Sequence, residues 1–283
     1  MNGRAAAPAA GTILNALATG YGSAFAIDEY VRASVRLDAE PTVTGRVSGH
    51  PDADTALIEA CVSAVTDRFD GPSGGVVETE SDVAMASGLK SSSAAANATV
   101  LATLEALGEA DSMSREEAAR LGVDVAREVG VTVTGAYDDA SASMLGGVTI
   151  TNNRTDEILH RDTISWDVAV LSPPEASLSA EADVNRCERV RPMANLVREL
   201  AADGRYGEAM TANGFAFSAA LSRSPEPMIE ALPDVAGVSL SGTGPSYVAV
   251  GTADEVEEVL DRWSDRDGSV IRTTTQTEGA RIE

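Results

Sequence analysis

Lysine is almost missing from this sequence of 283 residues. Lysine and arginine together number 21, and only one of them, Lys90, is a lysine, whereas aspartate and glutamate number 44. The formal net charge of −23 disfavours nucleic acids and anionic membranes as partners, because both are polyanions. It leaves open a small anionic ligand that is held in a local positive pocket.

Cysteine and long apolar runs are scarce as well. Cys61 and Cys187 are isolated, with neither a CxxC spacing nor a nearby histidine, so neither a disulfide framework nor a zinc site is predicted. No apolar stretch approaches the roughly 18 residues of a membrane span, and no basic segment followed by an apolar run opens the chain. We therefore expect a cytoplasmic protein without a signal peptide or a membrane partner.

Aromatic residues make up only 4% of the sequence, so alanine, valine, leucine and isoleucine must fill the core. An acidic surface, arginine in place of lysine and small core residues are together typical of a protein that works in high salt. There, screening shortens the range of charge repulsion to a few ångströms. An ordinary acidic cytosolic protein is the alternative that composition leaves open.

Apolar periodicity predicts a mixture of strands and helices. Residues 3–10 are interpreted as an edge strand or an extended segment, 12–18 as a short helix, and 25–37 with 42–47 as a hairpin. Because strands and helices do not alternate regularly along the chain, we predict an α+β fold. The polar stretch at 152–162 marks the predicted boundary between two domains, residues 1–158 and 159–283.

The stretch from Ala84 to Leu107 joins a glycine, a lysine and three serines to an alanine-rich helical pattern that Gly108 ends. A helix start offers unpaired N–H groups and the positive end of the helix dipole, while Gly88 lets the backbone approach a ligand and Lys90 adds a charge. These features predict a phosphate-binding loop. The alternative is an ordinary serine-rich loop that caps a buried helix. The stretch is not a P-loop, because Leu89 stands where that motif needs glycine.

Three motifs resemble those of the superfamily of galactokinase, homoserine kinase, mevalonate kinase and phosphomevalonate kinase. They are the opening segment 11–20, the central segment 87–94 and the segment 135–140, which reads Gly-Ala-Tyr-Asp-Asp-Ala; a glycine-rich segment at 241–246 completes the set. Within the superfamily, the sequence is most similar to the archaeal shikimate kinases. The resemblance implies an N-terminal domain like ribosomal protein S5 domain 2, a ferredoxin-like C-terminal domain and ATP in the cleft between them.

The resemblance also implies the roles of individual residues. Asp138 aligns with the catalytic carboxylate, Thr12 and Asn15 line the substrate site, and Ser92 with Glu128 would bind Mg²⁺. Expected to contact ATP are Ala84, Met85, Ala86, Ser87, Gly88, Leu89, Lys90, Ser91, Ser92, Ser93, Ala94, Gly242, Thr243 and Gly244.

Each of these assignments has a structural alternative. Paired aspartates such as Asp138 and Asp139 most often form an Asx turn or a helix cap. Glu128 could be a solvent-facing residue at a helix end, and the segment 242–244 could be only a tight turn between strands. Two positions depart from the family pattern: Ala84 replaces a proline, and Tyr21 stands where a basic residue is expected.

The implied reaction is transfer of the γ-phosphate of ATP to the 3-hydroxyl of shikimate, with Mg²⁺ as cofactor. Homoserine kinase and mevalonate kinase are alternatives within the superfamily. A non-catalytic sensor of ATP or of a metabolite is an alternative from another class. No oligomeric state follows from the sequence.

The net charge generates a first prediction. At −23 the folded chain repels itself, and added salt screens that repulsion. We expect the melting temperature (Tm) to rise as KCl is increased from dilute buffer to the molar range. Sucrose at matched osmolality, which screens no charge, serves as the control. A Tm that is flat or falls with KCl would contradict the high-salt interpretation.

Overall fold

The computed structural model describes residues 1–132, 134–174, 182–232 and 234–283. In these ranges the first half of the chain supplies six strands of a seven-stranded sheet and the helices that pack on it. Its elements are β1 (Asn2–Leu14), a 3-10 helix (Ala16–Ala18), β2 (Tyr21–Asp38), β3 (Val43–Val47), α1 (Ala56–Arg68), β4 (Gly74–Ser81), α2 (Ser91–Leu107), α3 (Arg115–Glu128), α4 (Tyr137–Leu145), β5 (Val148–Asn152) and β6 (Glu157–Asp162).

The second half forms a four-stranded sheet with its helices, again within the described ranges. Its elements are β7 (Asp167–Ser172), α5 (Val184–Arg189), α6 (Arg191–Ala202), α7 (Tyr206–Leu221), α8 (Glu226–Ala231), β8 (Gly237–Leu240), β9 (Tyr247–Gly251), α9 (Ala253–Trp263) and β10 (Ser269–Thr274). A last short strand, β11 (Arg281–Ile282), returns to the first sheet. The predicted α+β class is confirmed, whereas the domain boundary at 158 stays a prediction.

The order of the first sheet is β11-β1-β2-β4-β3, and β5 pairs with both β2 and β6. The hairpin predicted for 25–47 is therefore wrong, because β4 pairs with β2 from Val31–Ser81 to Asp38–Gly74 and occupies the edge that a hairpin would need. Strand β3 then pairs in parallel with the far edge of β4. Residues 3–10 are extended, as predicted, but they do not form an edge strand, since β1 lies between β2 and β11.

The short helix predicted for 12–18 forms only in part. Strand β1 continues through Leu14, which pairs with Ser23 of β2. A single 3-10 turn follows, where the Asn15 side chain accepts a hydrogen bond from the N–H of Leu17. The extended backbone at 12–14 is the feature that directs Thr12 and Asn15 towards the second sheet.

Small residues let the elements of the first sheet approach closely. A Cβ added to Gly3 would lie 2.1 Å from the carbonyl oxygen of Ala102, so β1 and α2 almost touch at this point. The facing alanines Ala5, Ala98 and Ala102 are fully buried. The prediction that small aliphatic residues fill the core is confirmed here, although a few aromatic residues, such as Tyr137, are fully buried too.

The second sheet has the order β10-β7-β9-β8, with antiparallel pairing throughout. Along the chain, its strands and long helices follow each other as β-α-β-β-α-β, with α6 and α7 in the first connection and α9 in the second. This is the ferredoxin-like connectivity, as expected from the resemblance. Among the described residues, no helix is long and apolar enough to cross a membrane.

Two loops join the sheets at one place. The loop between β4 and α2 contacts the loop between β8 and β9, where the N–H of Ser246 donates to the carbonyl oxygen of Ser87 at 3.0 Å. The Ser241 hydroxyl donates to the carbonyl oxygen of Gly88 at 2.9 Å. A Cβ on Gly88, whose φ is +91°, would lie 2.3 Å from the carbonyl oxygen of Ser241. Only glycine fits this contact.

A second prediction follows from that contact. Gly88→Ala should destabilise the fold and separate the two loops, because the methyl group meets backbone atoms that cannot move independently. Gly108→Ala is the matched control, since Gly108 also has a positive φ of +78° but nothing within 4 Å of an added Cβ. The control should cost about 1 kcal/mol of left-handed strain, and Gly88→Ala clearly more. Equal losses in urea unfolding would show that the loop contact contributes nothing.

Candidate active site

The site begins where the loop 84–90 enters helix α2. Ala86, Gly88 and Lys90 have φ values of 53°, 91° and 66°, so left-handed residues alternate along the loop. Such backbone conformations can turn successive N–H groups towards one point, which makes a concave site for an anion. No side chain caps the N-terminus of α2. Within the described structure the first amides of this helix therefore have no side-chain partner, and they are available to hydrogen-bond an anion.

Lys90 is the N-cap residue of α2, and its left-handed conformation is costly for a residue with a side chain. Its ammonium group lies 3.1 Å from Asp139 Oδ1, and the two side chains are only 8% and 14% exposed. A Cβ on Gly242 would lie 2.8 Å from Lys90 Nζ, so the second sheet closes over the ammonium group. The one lysine of the chain thus contacts α4 and the loop 241–246.

Asp138 and Asp139 occupy the first turn of α4, a helix that the sequence did not predict. Asp138 is buried, and its Oδ1 accepts a hydrogen bond of 2.6 Å from Asn153 Nδ2. Asn153 Oδ1 accepts in turn from the N–H of Asp138 at 3.2 Å and from the Thr151 hydroxyl at 2.7 Å. Asp138 Oδ2 faces Gly22, where a Cβ would come within 2.3 Å of it. The carboxylate is held in one orientation.

Burial, and after it the negative charge of Asp139, raise the pKa of Asp138 from its usual 3.8 to about 7. Lys90 and the hydrogen bond from Asn153 act in the opposite direction. A carboxyl group with a pKa near neutrality can exchange a proton with a substrate hydroxyl, which an ordinary surface aspartate does poorly.

Two cavities meet at Lys90 and Asp139. The larger one has a volume of about 490 Å³, within the range of small-molecule sites. One end is polar and is formed by Gly88, Lys90 and the three serines, and the other end is apolar. The apolar end is lined by Leu57, Val123, Ala126, Val129 and Val131.

The smaller cavity lies on the other side of Lys90. It is lined by the catalytic candidate Asp138, by Thr12 and Asn15, and by Gly242 and Thr243. Of the residues expected to contact ATP, the larger cavity takes Met85, Ala86, Gly88, Lys90 and Ser91 to Ser93, whereas Gly242 and Thr243 line the smaller one. Ala84, Ser87, Leu89, Ala94 and Gly244 are not among the lining residues. Leu89 and Ala94 are instead buried in the core.

Thr12 and Asn15 reach the predicted substrate site, but both are already engaged by the second sheet. The Thr12 hydroxyl accepts from the N–H of Gly242 at 2.8 Å, and Asn15 Nδ2 donates to the Gly242 carbonyl oxygen at 2.9 Å. Asn213, which lies in α7, accepts from the backbone N–H of Asn15 at 2.9 Å. The two residues fix the loop 241–246 over the cavity.

The predicted metal ligands are only partly brought together. Ser92 lines the larger cavity, whereas Glu128 is exposed at the end of α3, where Val123 and Ala126 face the cavity instead. The structure thus does not place Glu128 at the site, because the helix periodicity turns it outward. Asp139, to which the resemblance assigned no catalytic or ligand role, lines both cavities. The hydroxyl of Ser92 and the carboxylate of Asp139 are oxygen ligands of the kind that Mg²⁺ prefers.

No group of three or more His, Cys, Asp or Glu side chains suited to a metal occurs among the described residues. Mg²⁺ that accompanies a nucleotide uses one or two protein ligands beside phosphate oxygens and water. Ser92 and Asp139 would fit an ion of that kind.

Sequence analysis missed several residues of the site. Asn153 lies in the turn after β5, and only the folded turn brings its side chain to Asp138. Asn97 is fully buried and donates from Nδ2 to the carbonyl oxygen of Ala140. Asn97 and Asn213 each interrupt an alanine-rich helix with a buried amide, and that interruption was a usable signal.

Comparison with solved structures defines the class of the fold. The homoserine kinase of Cytophaga hutchinsonii superposes with a TM-score of 0.77 at 15% identity, covering 100% of this chain and 97% of that one. The mevalonate kinase of Methanococcus jannaschii also gives 0.77, at 14% identity, covering 97% and 98%. Residues 56–147 match the model of the GHMP kinases N terminal domain. The fold is that of a GHMP kinase.

Full-length relatives narrow the class to a family. The shikimate kinase of Halobacterium salinarum is 62% identical over 282 residues, which cover 99% of both chains. The shikimate kinase of Methanothrix thermoacetophila is 48% identical over 283 residues, covering 100% of this chain and 96% of that one. The chain belongs to the archaeal shikimate kinase family of the GHMP kinases. The resemblance inferred from the motifs is confirmed.

The burial of Asp138 generates a third prediction. Its pKa is raised in the folded state, so the native protein binds more protons than the unfolded chain between about pH 4 and 7, and stability falls as the pH rises through this window. Asp138→Asn removes that loss. We expect the Tm of the variant to equal that of the wild type at pH 4 and to lie on the order of 5 °C above it at pH 8.

The measurement is a series of Tm values at constant high KCl. Asp52→Asn, which removes an exposed aspartate, is the control and should show no such trend. Asp139→Asn should lower Tm, because it leaves the buried ammonium group of Lys90 unpaired. A difference for Asp138→Asn that does not grow with pH would show that burial does not disfavour its charged form.

Proposed function

We propose that this protein transfers the γ-phosphate of ATP to the 3-hydroxyl of shikimate. The relatives named shikimate kinase, 62% and 48% identical over almost the whole chain, support this substrate. The observation that carries the chemistry is the junction of the two cavities, where Lys90 lies between the phosphate loop and the carboxylates of α4. A phosphate donor on one side can there meet an alcohol on the other.

In this proposal ATP occupies the larger cavity, with its base at the apolar end and its phosphates at the amides of Ser91 to Ser93. Lys90 neutralises phosphate charge that develops in the transition state. Ser92 and Asp139 would hold Mg²⁺, which supplies further charge neutralisation when it is bound with the nucleotide.

Asp138 acts as the base. Its carboxylate takes the proton of the 3-hydroxyl while the oxygen attacks the γ-phosphorus and the bond to the β-phosphate oxygen breaks, which releases ADP. The raised pKa brings its proton affinity close to the working pH. Asn153 positions the carboxylate so that it does not rotate away from the cavity.

The substrate assignment gives the fourth prediction. Shikimate, homoserine and mevalonate should be compared by kcat/KM with ATP and Mg²⁺ in high salt, and shikimate should be strongly preferred. A site built for a carboxylate and three ring hydroxyls leaves polar groups unmatched when a poorer fit binds, and this mismatch discriminates strongly. A preference for another alcohol would overturn the substrate but leave the kinase fold intact.

Asp138→Asn tests the chemistry in the same assay. We expect turnover to fall by roughly 10²- to 10⁴-fold with nearly unchanged ATP affinity.

Lys90→Ala should impair ATP use, and Lys90→Arg should rescue it only in part, because the planar guanidinium is larger. If no alcohol consumes ATP although the nucleotide binds, the protein is a sensor and not a kinase.

A further inference from the structure

Two glycines at the start of β2 each leave space that a charged side chain fills. A Cβ on Gly20 would lie 2.6 Å from Arg154 Nε and 3.0 Å from its Cγ. A Cβ on Gly22 would lie 2.3 Å from Asp138 Oδ2. Two residues of extended chain span on the order of 7 Å. A guanidinium group and the proposed base therefore lie over neighbouring positions of one segment.

The backbone around these groups is fixed by pairing between β2 and the turn after β5. The N–H of Asn153 donates to the carbonyl oxygen of Gly20 at 2.8 Å, and Gly22 pairs with Thr151. The N–H of Arg154 donates to Asn152 Oδ1 at 3.1 Å. Arg154 directly follows Asn153 in the sequence, and the side chain of Asn153 orients Asp138.

The guanidinium of Arg154 differs from that of its neighbour Arg127. Arg127 makes a two-pronged contact with Asp156 at 2.6 Å and also donates to the carbonyl oxygen of Asn153. Within the described part of the chain, the side chain of Arg154 forms no ion pair and no hydrogen bond. Arg154 is also exposed, so its guanidinium is available to a ligand.

The proposed reaction needs such a group. The alcohol carries a carboxylate, and the smaller cavity already contains Asp138 and Asp139, which repel it. Lys90 is paired with Asp139. No arginine is among the residues that line the smaller cavity, so a guanidinium that compensates the substrate charge would reach in from outside this lining.

We propose that Arg154 binds the carboxylate of the alcohol substrate and thereby places the reacting hydroxyl at Asp138. This inference rests on the proposed function. A guanidinium presents two parallel N–H donors that match a carboxylate. One ring that spans Arg154 and Asp138 would hold its carboxylate at one end and its hydroxyl at the other.

The test compares shikimate with its uncharged methyl ester, which keeps all three hydroxyls. Arg154→Ala should lower kcat/KM for shikimate by roughly 10- to 100-fold, mainly through KM, while the ester and the KM for ATP change little. Arg154→Lys should lie between the two, because it keeps the charge but not the fork. Arg46→Ala, which removes an exposed arginine on β3, controls for net charge and should behave as wild type.

An equal loss for the acid and the ester would overturn the proposal, because a purely structural arginine would affect both alike. An unchanged KM for shikimate would overturn it as well. If the wild type ignores shikimate, the proposed function fails separately. The comparison then uses the alcohol that it does phosphorylate, since homoserine and mevalonate also carry a carboxylate that can be esterified. If Arg154→Ala does not fold, Arg154→Lys serves as the test. It should lower the ratio of kcat/KM for shikimate to kcat/KM for the ester.

Discussion

The buried ion pair between Lys90 and Asp139 is the contact on which the site depends. It joins the start of α2 to the start of α4, and Gly242 from the second sheet closes over it. Two charges taken out of water gain little stability unless their geometry is good, yet removing one partner leaves a costly unpaired charge. The pair is best understood as a device that sets the positions of two helix starts, at which a phosphate and a hydroxyl can meet.

At Asp138, what the proposed function needs lowers the stability of the fold. Its burial disfavours the charged form that a base needs. The helix dipole at the start of α4 and the hydrogen bond from Asn153 offset part of that cost. The fold thus keeps a carboxylate close to the point of protonation, at the expense of stability in the pH range where it works.

The elements predicted well from the sequence have local signals. Helix α2 begins at Ser91 and ends before Gly108, as its serines and glycine indicate. The hairpin prediction failed because strand pairing depends on residues far apart in the sequence. Nothing in the sequence near the predicted hairpin indicates that β4 pairs with β2. Glu128 lies outside the lining of both cavities, because a spacing along the chain does not give the face of a helix. Asn153 was missed because only the folded turn brings it to Asp138.

The acidic surface and an anionic substrate are compatible because their charges act over different distances. At molar salt the Debye length is about 3 Å, so most of the net charge of −23 is not felt inside the cleft. The pair of Lys90 and Asp139, 3.1 Å apart, is buried, and salt screens buried pairs much less. The long-range field that would repel ATP is therefore removed by the same salt that leaves the local positive groups effective. One lysine and the amides of one helix start can then bind phosphate groups although the protein surface is acidic.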